Sequence, residues 1–241
     1  QKMDLDRTFF AYKYTSGKEL RYMNVFDIIG PVMIGPSSSH TAGAVRLGRV
    51  AWQILEDKPV KAVIELSGSF AQTYKGHGTD KALIAGIMGM DSYDERIRCS
   101  LELAREQGLE YEFHEVNIPD AHPNTAHIFL YGESGKTADI QGASVGGGNI
   151  LVEKINGMDV AYTGQSTTIL VRHYDRPGAI AAVTNFMAYS DVNIGNFRLS
   201  RQKKGGEAIM TIEIDGAAPE GLTAQLKVLP HVISAIILKV I

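Results

Sequence analysis

The C-terminal third of the chain combines strand and helix signals in an order that few folds accommodate. From Thr167 to Val240 the order is strand, helix, strand, strand, helix, strand, which predicts a ferredoxin-like sandwich. The predicted strands and helices are Thr167–His173, Pro177–Ala188, Val192–Ser200, Glu207–Asp215, Pro219–Val228 and His231–Val240, in that order. The open sheet face and the sheet edges favour pairing with a second copy.

The preceding residues predict a larger unit of helices and strands. Apolar residues at helical spacing follow Thr41, a strand covers Val60–Leu66, and further helices lead into a run of strands. A polar turn over Asp159–Ser166 separates the two units. We therefore predict an α+β fold with three parts: an extension or cloning remnant at residues 1–21, a larger domain at 22–160 and the sandwich at 166–241.

Composition narrows the functional classes. A net charge of -3 and a pI near 6.2 show no electrostatic footprint for nucleic acid or an anionic membrane. No run approaches the ~20 apolar residues that span a bilayer, and no secretion signal is evident, so we expect a cytoplasmic protein. Cys99 is the only cysteine, which suits a reducing compartment but cannot by itself hold an iron–sulfur cluster.

A hydroxyl-rich run precedes the first predicted helix. It consists of Ser37, Ser38, Ser39, His40 and Thr41. The run places hydroxyls, an imidazole and free backbone N–H groups at the positive end of the helix dipole, where a carboxylate ligand fits. The alternative is an ordinary capping loop, because serine and threonine are preferred N-caps.

A second polar segment, Gly68–Asp80, is predicted as a glycine-rich loop before the next helix. Glycines flank His77, so the backbone can approach a ligand closely, and Asp80 is placed to orient the imidazole. The alternative is a plain turn with a solvent-facing histidine. Because two such segments occur at the ends of neighbouring elements, we expect both to face one cleft.

Three further turns carry weaker signals. His122–Thr125 is polar, but a simple turn before a strand explains it equally well. Ser144–Asn149 precedes a strand, which favours a bulge or close backbone approach over a phosphate site. The loop His173–Gly178 exposes helix-start N–H groups, as any strand-to-helix loop does. Because the histidines and Asp80 lack short ligand spacing, we expect no metal ligands in this chain.

Together these motifs resemble the β chain of bacterial iron–sulfur L-serine dehydratases. The resemblance rests on Val25–Pro31, Gly35–Gly43, Gly68–Asp80, His122–Thr125 and Ser144–Asn149. It implies a lyase of serine catabolism and gluconeogenesis that removes water from L-serine, after which the enamine tautomerises and hydrolyses to pyruvate and ammonia. It also implies a heteromer, in which a separate α subunit holds a 4Fe-4S cluster that polarises the serine hydroxyl.

The resemblance also implies roles for individual residues. The implied catalytic residues are His77, His40 and Asp80, with His77 and Asp80 as the acid–base element facing the cluster. The implied substrate-binding residues are Ser37, Ser38, Ser39, Thr41, His122 and Asn124.

The C-terminal unit resembles ACT domains, which bind amino acids between paired copies. The implied effector is serine, and the implied effector-binding residues are His173, Asp175, Gly178 and Asn193. Asp175 departs from the usual asparagine and replaces an amide by an acceptor-only carboxylate. The main alternative is a non-catalytic amino-acid-sensing subunit, and an independent metal-dependent hydrolase is a less favoured one.

Overall fold

The computed structural model describes residues 37–241, so the predictions for residues 1–21 and for Val25–Pro31 lie outside the described range. Alternating apolar residues form a first sheet of six strands in the order β2-β1-β3-β4-β5-β6. The strands are β1 (Pro59–Leu66), β2 (Glu110–Glu115), β3 (Thr125–Gly132), β4 (Thr137–Gly146), β5 (Asn149–Ile155) and β6 (Met158–Tyr162). Only the β1–β2 pair is parallel among these neighbours.

Helices cover one face of this sheet. A π-helical turn (Ser39–Gly43) continues into α1 (Ala44–Leu55), and the later helices are α2 (Gly68–His77), α3 (Thr79–Ile87), a 3₁₀ turn (Glu95–Cys99) and α4 (Ser100–Glu106). Ile64, Ile128 and Ile140 pair in register across three strands. They form one fully buried cluster with Leu47 of α1 and Leu83 of α3.

Most of the predicted loop Gly68–Asp80 is a helix, so this prediction is wrong. Gly68 (φ +60°) begins α2, and Gly78 (φ +72°) separates it from α3, so these glycines mark helix ends. Between them, Phe70 is fully buried and anchors the helix. His77 is therefore the last residue of α2, and Asp80 lies in the first turn of α3.

The polar turn predicted over Asp159–Ser166 is wrong in its first half. Residues Met158–Tyr162 form β6, in which burial alternates along the strand. Asp159 lies on the exposed side, whereas Val160 and Tyr162 are buried. The connection to the second sheet is therefore confined to residues 163–166.

The second sheet has the predicted βαββαβ order, which confirms the ferredoxin-like sandwich. Its elements are β7 (Thr167–Tyr174), α5 (Ala179–Tyr189), β8 (Ile194–Arg201), β9 (Glu207–Ile214), α6 (Leu222–Lys227) and β10 (Val232–Leu238). The strand order β10-β7-β9-β8 places β10 and β8 at the edges. Val183 and Leu226 of the two helices pack with Val171 and Ile212 on one sheet face.

Part of the other face of this sheet packs on the first unit, so the predicted pairing with a second copy has only the rest of that face and the sheet edges available. Leu170 and Leu238 belong to the same buried cluster as Tyr162. The Tyr162 hydroxyl donates to the carbonyl of Lys239 at 3.1 Å, and the Lys239 N–H donates to Gln53 Oε1 at 2.9 Å. These bonds hold the end of β10 against α1.

Two glycines allow the backbones of α1 and α3 to touch. A methyl group on Gly86 would overlap the carbonyl oxygen of Val45, and one on Gly48 would overlap that of Leu83. Neither backbone can move without disturbing the buried cluster around it. The position of α1 therefore depends on residues without side chains at this crossing.

We expect Gly86→Ala to lower the free energy of unfolding by about 3 kcal/mol, because the methyl group must displace backbone atoms. Gly76→Ala is the matched control, since it lies in exposed α2 with no atom within 4 Å of the added methyl group. This control should stabilise the chain by roughly 0.5–1 kcal/mol. Urea denaturation measures the free energy of unfolding of both variants. Equal changes in the two variants would contradict the close backbone contact between α1 and α3.

Candidate active site

His40 is buried in the π-helical turn before α1, with 8% of its surface exposed. Its Nε2 lies 3.1 Å from Thr73 Oγ1, and its Nδ1 lies 3.3 Å from Ser37 Oγ. Thr73 donates its own proton to the Ser69 carbonyl at 2.7 Å, so its hydroxyl oxygen accepts from His40 Nε2–H. This network assigns the neutral tautomer with the proton on Nε2 and the lone pair on Nδ1.

His77 lies beside His40 at the end of α2. The two imidazole centroids are 4.6 Å apart with perpendicular planes, and the Phe70 ring lies 5.2 Å from His40 on another side. His77 itself is exposed. The pair therefore joins a buried imidazole to one that solvent or a partner can reach.

Burial is the larger cause that lowers the pKa of His40 below its usual 6.5, and repulsion by His77 lowers this pKa further. His40 is therefore neutral at pH 7 and can accept a proton. The unfolded chain binds a proton at this site more readily than the folded one. The resulting stabilisation is fully present above pH 6.5 and is lost as the pH falls through the lowered pKa of the folded state.

Asp80 does not orient His77, so that prediction is wrong. Within residues 37–241, no hydrogen bond or ion pair joins the two side chains, and Asp80 Oδ1 instead accepts the Lys81 N–H at 2.8 Å. The residues lie on different helices on either side of the left-handed Gly78. Burial raises the pKa of the Asp80 carboxyl.

The hydroxyl-rich run is only partly available to a ligand. Ser37, Ser38 and Ser39 are half-buried at the start of the π-helical turn, but Thr41 is buried. The Thr41 N–H donates to the Ser37 carbonyl at 2.9 Å, which closes the turn. Ser37 thus contacts the His40 ring, Ser38 and Ser39 remain partly exposed beside it in the chain, and Thr41 packs inside.

The turn His122–Thr125 contacts the same region. The Phe70 N–H of α2 donates to the Pro123 carbonyl at 3.2 Å, and the Ser144 N–H of β4 donates to the Asn124 carbonyl at 3.0 Å. His122 is exposed, and its Nδ1 accepts the Asn124 N–H at 3.1 Å. The serine run and the segment containing His77 therefore meet at one end of the first sheet, and the His122–Thr125 turn, whose position the sequence did not predict, packs beside them.

The glycine-rich segment Ser144–Asn149 forms the tight β4–β5 turn at this end. Gly147 and Gly148 both have positive φ values, +60° and +80°, and the register shifts between Ser144 and Gly146. The expected bulge agrees with this register shift, whereas a methyl group on Gly146 would meet no atom within 4 Å, so the alternative of a close backbone approach is not seen there. The Gly148 carbonyl also accepts from Arg46 of α1 at 2.7 Å, which ties the turn to the helix that follows His40.

Three residues of this site escaped the sequence reasoning. Ser69 and Thr73 precede His77 at intervals of four residues and share its helix face, but the segment had been assigned as a loop. Ser144 is fully buried, and its Oγ has no hydrogen-bond partner in the described part of the chain. A helical assignment would have revealed the first two, whereas only packing reveals Ser144.

The predicted effector residues lie at opposite ends of the second sheet. Because Thr167 and Ile194 both pair with Ile214, Asn193 lies near the start of β7, whereas the loop His173–Gly178 follows its end. An eight-residue strand separates them by roughly 20–25 Å. One copy of this chain therefore cannot bring all four residues to one small ligand.

Two of the predicted effector residues, His173 and Asp175, have polar contacts within the chain. His173 is 1% exposed, its Nδ1 lies 2.9 Å from the Tyr174 carbonyl, and its Nε2 has no partner in residues 37–241. Asp175 accepts from Arg201 at 2.8 Å and from the Gly205 N–H at 3.0 Å, and these bonds lower its pKa, with Gly205 as the larger cause.

The other two effector residues lie in turns. Gly178 has φ +89° and begins α5 at the exposed surface. Asn193 Nδ2 donates to Asp215 Oδ2 at 2.5 Å, so this amide is already paired within the chain.

The residues of this chain do not fit an iron–sulfur cluster. Such a cluster needs three or four thiolates, but Cys99 is the only cysteine in the sequence. It is exposed on the 3₁₀ turn, where its Sγ donates to the Arg96 carbonyl at 3.4 Å. Across residues 37–241, no group of three or more His, Cys, Asp and Glu side chains has the arrangement of a metal site.

Two protein families match the two structural units of this chain. The serine dehydratase beta chain family matches residues 24–105, and the ACT domain family matches residues 167–231. Fold and site thus define a serine dehydratase β-type unit followed by an ACT domain.

Individual relatives cover nearly the whole chain. The probable L-serine dehydratase beta chain of Bacillus subtilis is 44% identical over 89% of this chain and 97% of its own length. The L-serine dehydratase beta chain of Peptoniphilus asaccharolyticus is 38% identical over 84% and 92%, respectively. The chain belongs to the family of L-serine dehydratase β chains.

A third relative is longer. L-serine dehydratase 1 of Escherichia coli is 30% identical over 65% of this chain but only 40% of its own length. In residues 37–241, every helix is too short or too polar to cross a membrane.

We expect His77→Gln to raise the pKa of His40, because the substitution removes the neighbouring positive charge. The pKa should nevertheless stay below 6.5, since burial is the larger cause of the shift. Titration of the imidazole ring protons by NMR measures this value. His114→Gln is the control, because this exposed histidine pairs with Glu112 on β2 and should leave the pKa of His40 unchanged.

Proposed function

We propose that this chain is the β subunit of an L-serine ammonia-lyase that converts L-serine to pyruvate and ammonia. A separate α subunit would complete the active site and hold a 4Fe-4S cluster. The observation that carries the proposal is the pair formed by neutral, buried His40 and exposed His77. The pair is surrounded by hydroxyls of Ser37, Ser69 and Thr73, which suit a small polar substrate.

The serine run supplies a place for the substrate carboxylate. Ser37, Ser38 and Ser39 are half-buried where the helical segment begins, so hydroxyls and the positive end of the helix dipole meet there. A carboxylate bound at this point would place the α-carbon of serine near the His40 ring.

The histidine pair supplies the proton chemistry. His40 takes the α-proton of L-serine on Nδ1, the only ring nitrogen with a lone pair in the assigned tautomer. The β-hydroxyl leaves as water with one proton drawn from solvent, which balances the α-proton released, and the resulting aminoacrylate tautomerises to an imine. Water then hydrolyses the imine to pyruvate and ammonia. His77 returns the proton to solvent, because it contacts His40 and is exposed.

Two observations support a separate α subunit: the shortage of cysteines in this chain and the greater length of one relative. The single cysteine leaves the cluster ligands to another polypeptide. The Escherichia coli L-serine dehydratase 1, which this chain matches over 40% of its length, has additional sequence that could carry such a part. The one cysteine also supports a reducing cytoplasm as the site of action.

The ACT domain is proposed to bind L-serine between two copies. The loop His173–Gly178 of one copy and Asn193 of the other would form each site, because they lie at opposite ends of the sheet within a copy. The unpartnered Nε2 of His173 provides a polar group for the ligand. Asp175 would have to exchange Arg201 for the ammonium group of serine.

Anaerobic turnover of L-serine to pyruvate tests the catalytic proposal. We expect activity only when this chain and its α subunit are mixed, and a loss of roughly 10²–10⁴-fold for His40→Gln, as for removal of a general base. His114→Gln, on the sheet face away from the helices, should retain full activity. Full activity of the His40→Gln mixture, or of the α subunit alone, would favour the non-catalytic sensor.

Sedimentation velocity in the presence of L-serine tests the effector site. We expect serine to promote self-association, and Asn193→Ala to weaken this effect roughly 10-fold through loss of a hydrogen bond to a charged ligand. Gln225→Ala on α6 is the control, since this exposed amide lies on the helical side of the domain. Serine-independent association would contradict the proposed site.

A further inference from the structure

A cleft separates α1 from the edge strand β10, where the two units meet. Its volume is about 600 Å³, within the range of small-molecule sites, which also occur preferentially at domain interfaces. One wall contains Arg49 and Trp52 of α1 together with Glu56, the residue that follows this helix. The other wall contains Ile236 and Lys239 at the end of β10.

The centre of this cleft is apolar. Trp52 is 37% exposed, although tryptophan is usually covered by packing, and a methyl group added to Gly89 would lie 3.4 Å from its indole ring. Ile236 is only partly buried on the facing wall, where it packs toward the first unit, whereas Ile237 also lines the cleft but packs toward the helices of the second sheet. An aliphatic group between Trp52 and Ile236 would remove apolar surface from water on both sides.

Two of the four charged groups in the cleft are already satisfied by the protein. Arg49 forms an ion pair with Asp91, and the Asp57 carboxylate accepts hydrogen bonds from Ser134 and from the Lys58 N–H. The Arg49–Asp91 pair is compensated in charge, whereas Asp57 remains an anion whose oxygens are held by neutral donors.

The remaining two charges have no such partners. Within residues 37–241, neither the Lys239 ammonium nor the Glu56 carboxylate forms an ion pair or side-chain hydrogen bond, although both line the cleft. One free cation and one free anion flank an apolar centre, which is the charge pattern complementary to a zwitterion with a hydrocarbon side chain.

We propose that this cleft binds an α-amino acid with an aliphatic side chain. Lys239 binds the carboxylate, Glu56 binds the ammonium group, and the side chain packs between Trp52 and Ile236. L-Serine fits poorly, because its hydroxymethyl group offers little apolar surface to the indole ring. The site is therefore separate from the proposed active site and from the ACT effector site, and it does not depend on either.

The location of the cleft connects it to the rest of the molecule. The backbone N–H and carbonyl of Lys239 are held by Gln53 and Tyr162, so a ligand at Lys239 contacts the junction of the two sheets. The opposite wall is the same helical segment that begins with His40. An aliphatic amino acid would thus bridge the helix of the histidine pair and the ACT sheet.

Tryptophan fluorescence reports binding directly, because Trp52 is the only tryptophan in the sequence. We expect L-leucine to produce a saturable change in the emission of the full chain, with a matching heat in calorimetry. 4-Methylpentanoate lacks the ammonium group and 3-methylbutylamine lacks the carboxylate, so each should bind at least about 10-fold more weakly. L-Serine should also be at least about 10-fold weaker.

Charge-neutralising variants complete the test. Lys239→Gln and Glu56→Gln should each weaken L-leucine binding by about 10-fold or more. Lys227→Gln and Glu220→Gln are matched controls on the exposed surface near α6, and they should bind as the unmodified chain does.

Three results would overturn the proposal: neither a heat nor an emission change up to about 10 mM L-leucine, unchanged affinity in both cleft variants, or equal binding of L-serine. None of these measurements involves turnover or the α subunit. Failure here is therefore distinguishable from failure of the proposed lyase activity.

Discussion

The close approach of α1 to α3 is the contact on which the other features depend. Because Gly48 and Gly86 have no side chains, the two helices meet backbone to backbone and pack together on the first sheet. The start of the helical segment containing α1 carries His40 into contact with α2, and its other end meets β10 through Gln53. One rigid helix thus connects the candidate active site with the ACT sheet, and a change in its position would affect both.

The histidine pair shows how packing sets reactivity. An isolated histidine would be partly protonated near neutral pH, but burial and a neighbouring imidazole lower the pKa of His40 and keep it neutral. Thr73 then determines which ring nitrogen carries the proton. The arrangement supplies a base and an exposed neighbour, while the chain has too few thiolates for a cluster. It is thus chemically consistent with one half of a shared active site.

Both faces of the second sheet are packed against other parts of the chain. Its helices cover one face, and the first unit covers part of the other, which leaves the edge strand β8 and the end loops as routes for association. The predicted effector residues occupy opposite ends of this sheet, so the proposed effector site needs a second copy. Aspartate at position 175, where asparagine is usual, has a structural reason. Its carboxylate pairs with Arg201, and the amide of an asparagine would accept the same contact less strongly.

The sequence by itself determined the βαββαβ order of the second unit, most strands of the first, and the shared location of the serine run and the segment containing His77. These features follow from local periodicity and turn chemistry, which act over a few residues. Tertiary structure decided that Gly68–His77 is a helix, that Asp159 lies in a strand, and that His77 faces His40 rather than Asp80. Each depends on contacts between distant segments, such as Phe70 with the His122–Thr125 turn, and such contacts leave no local pattern in the sequence.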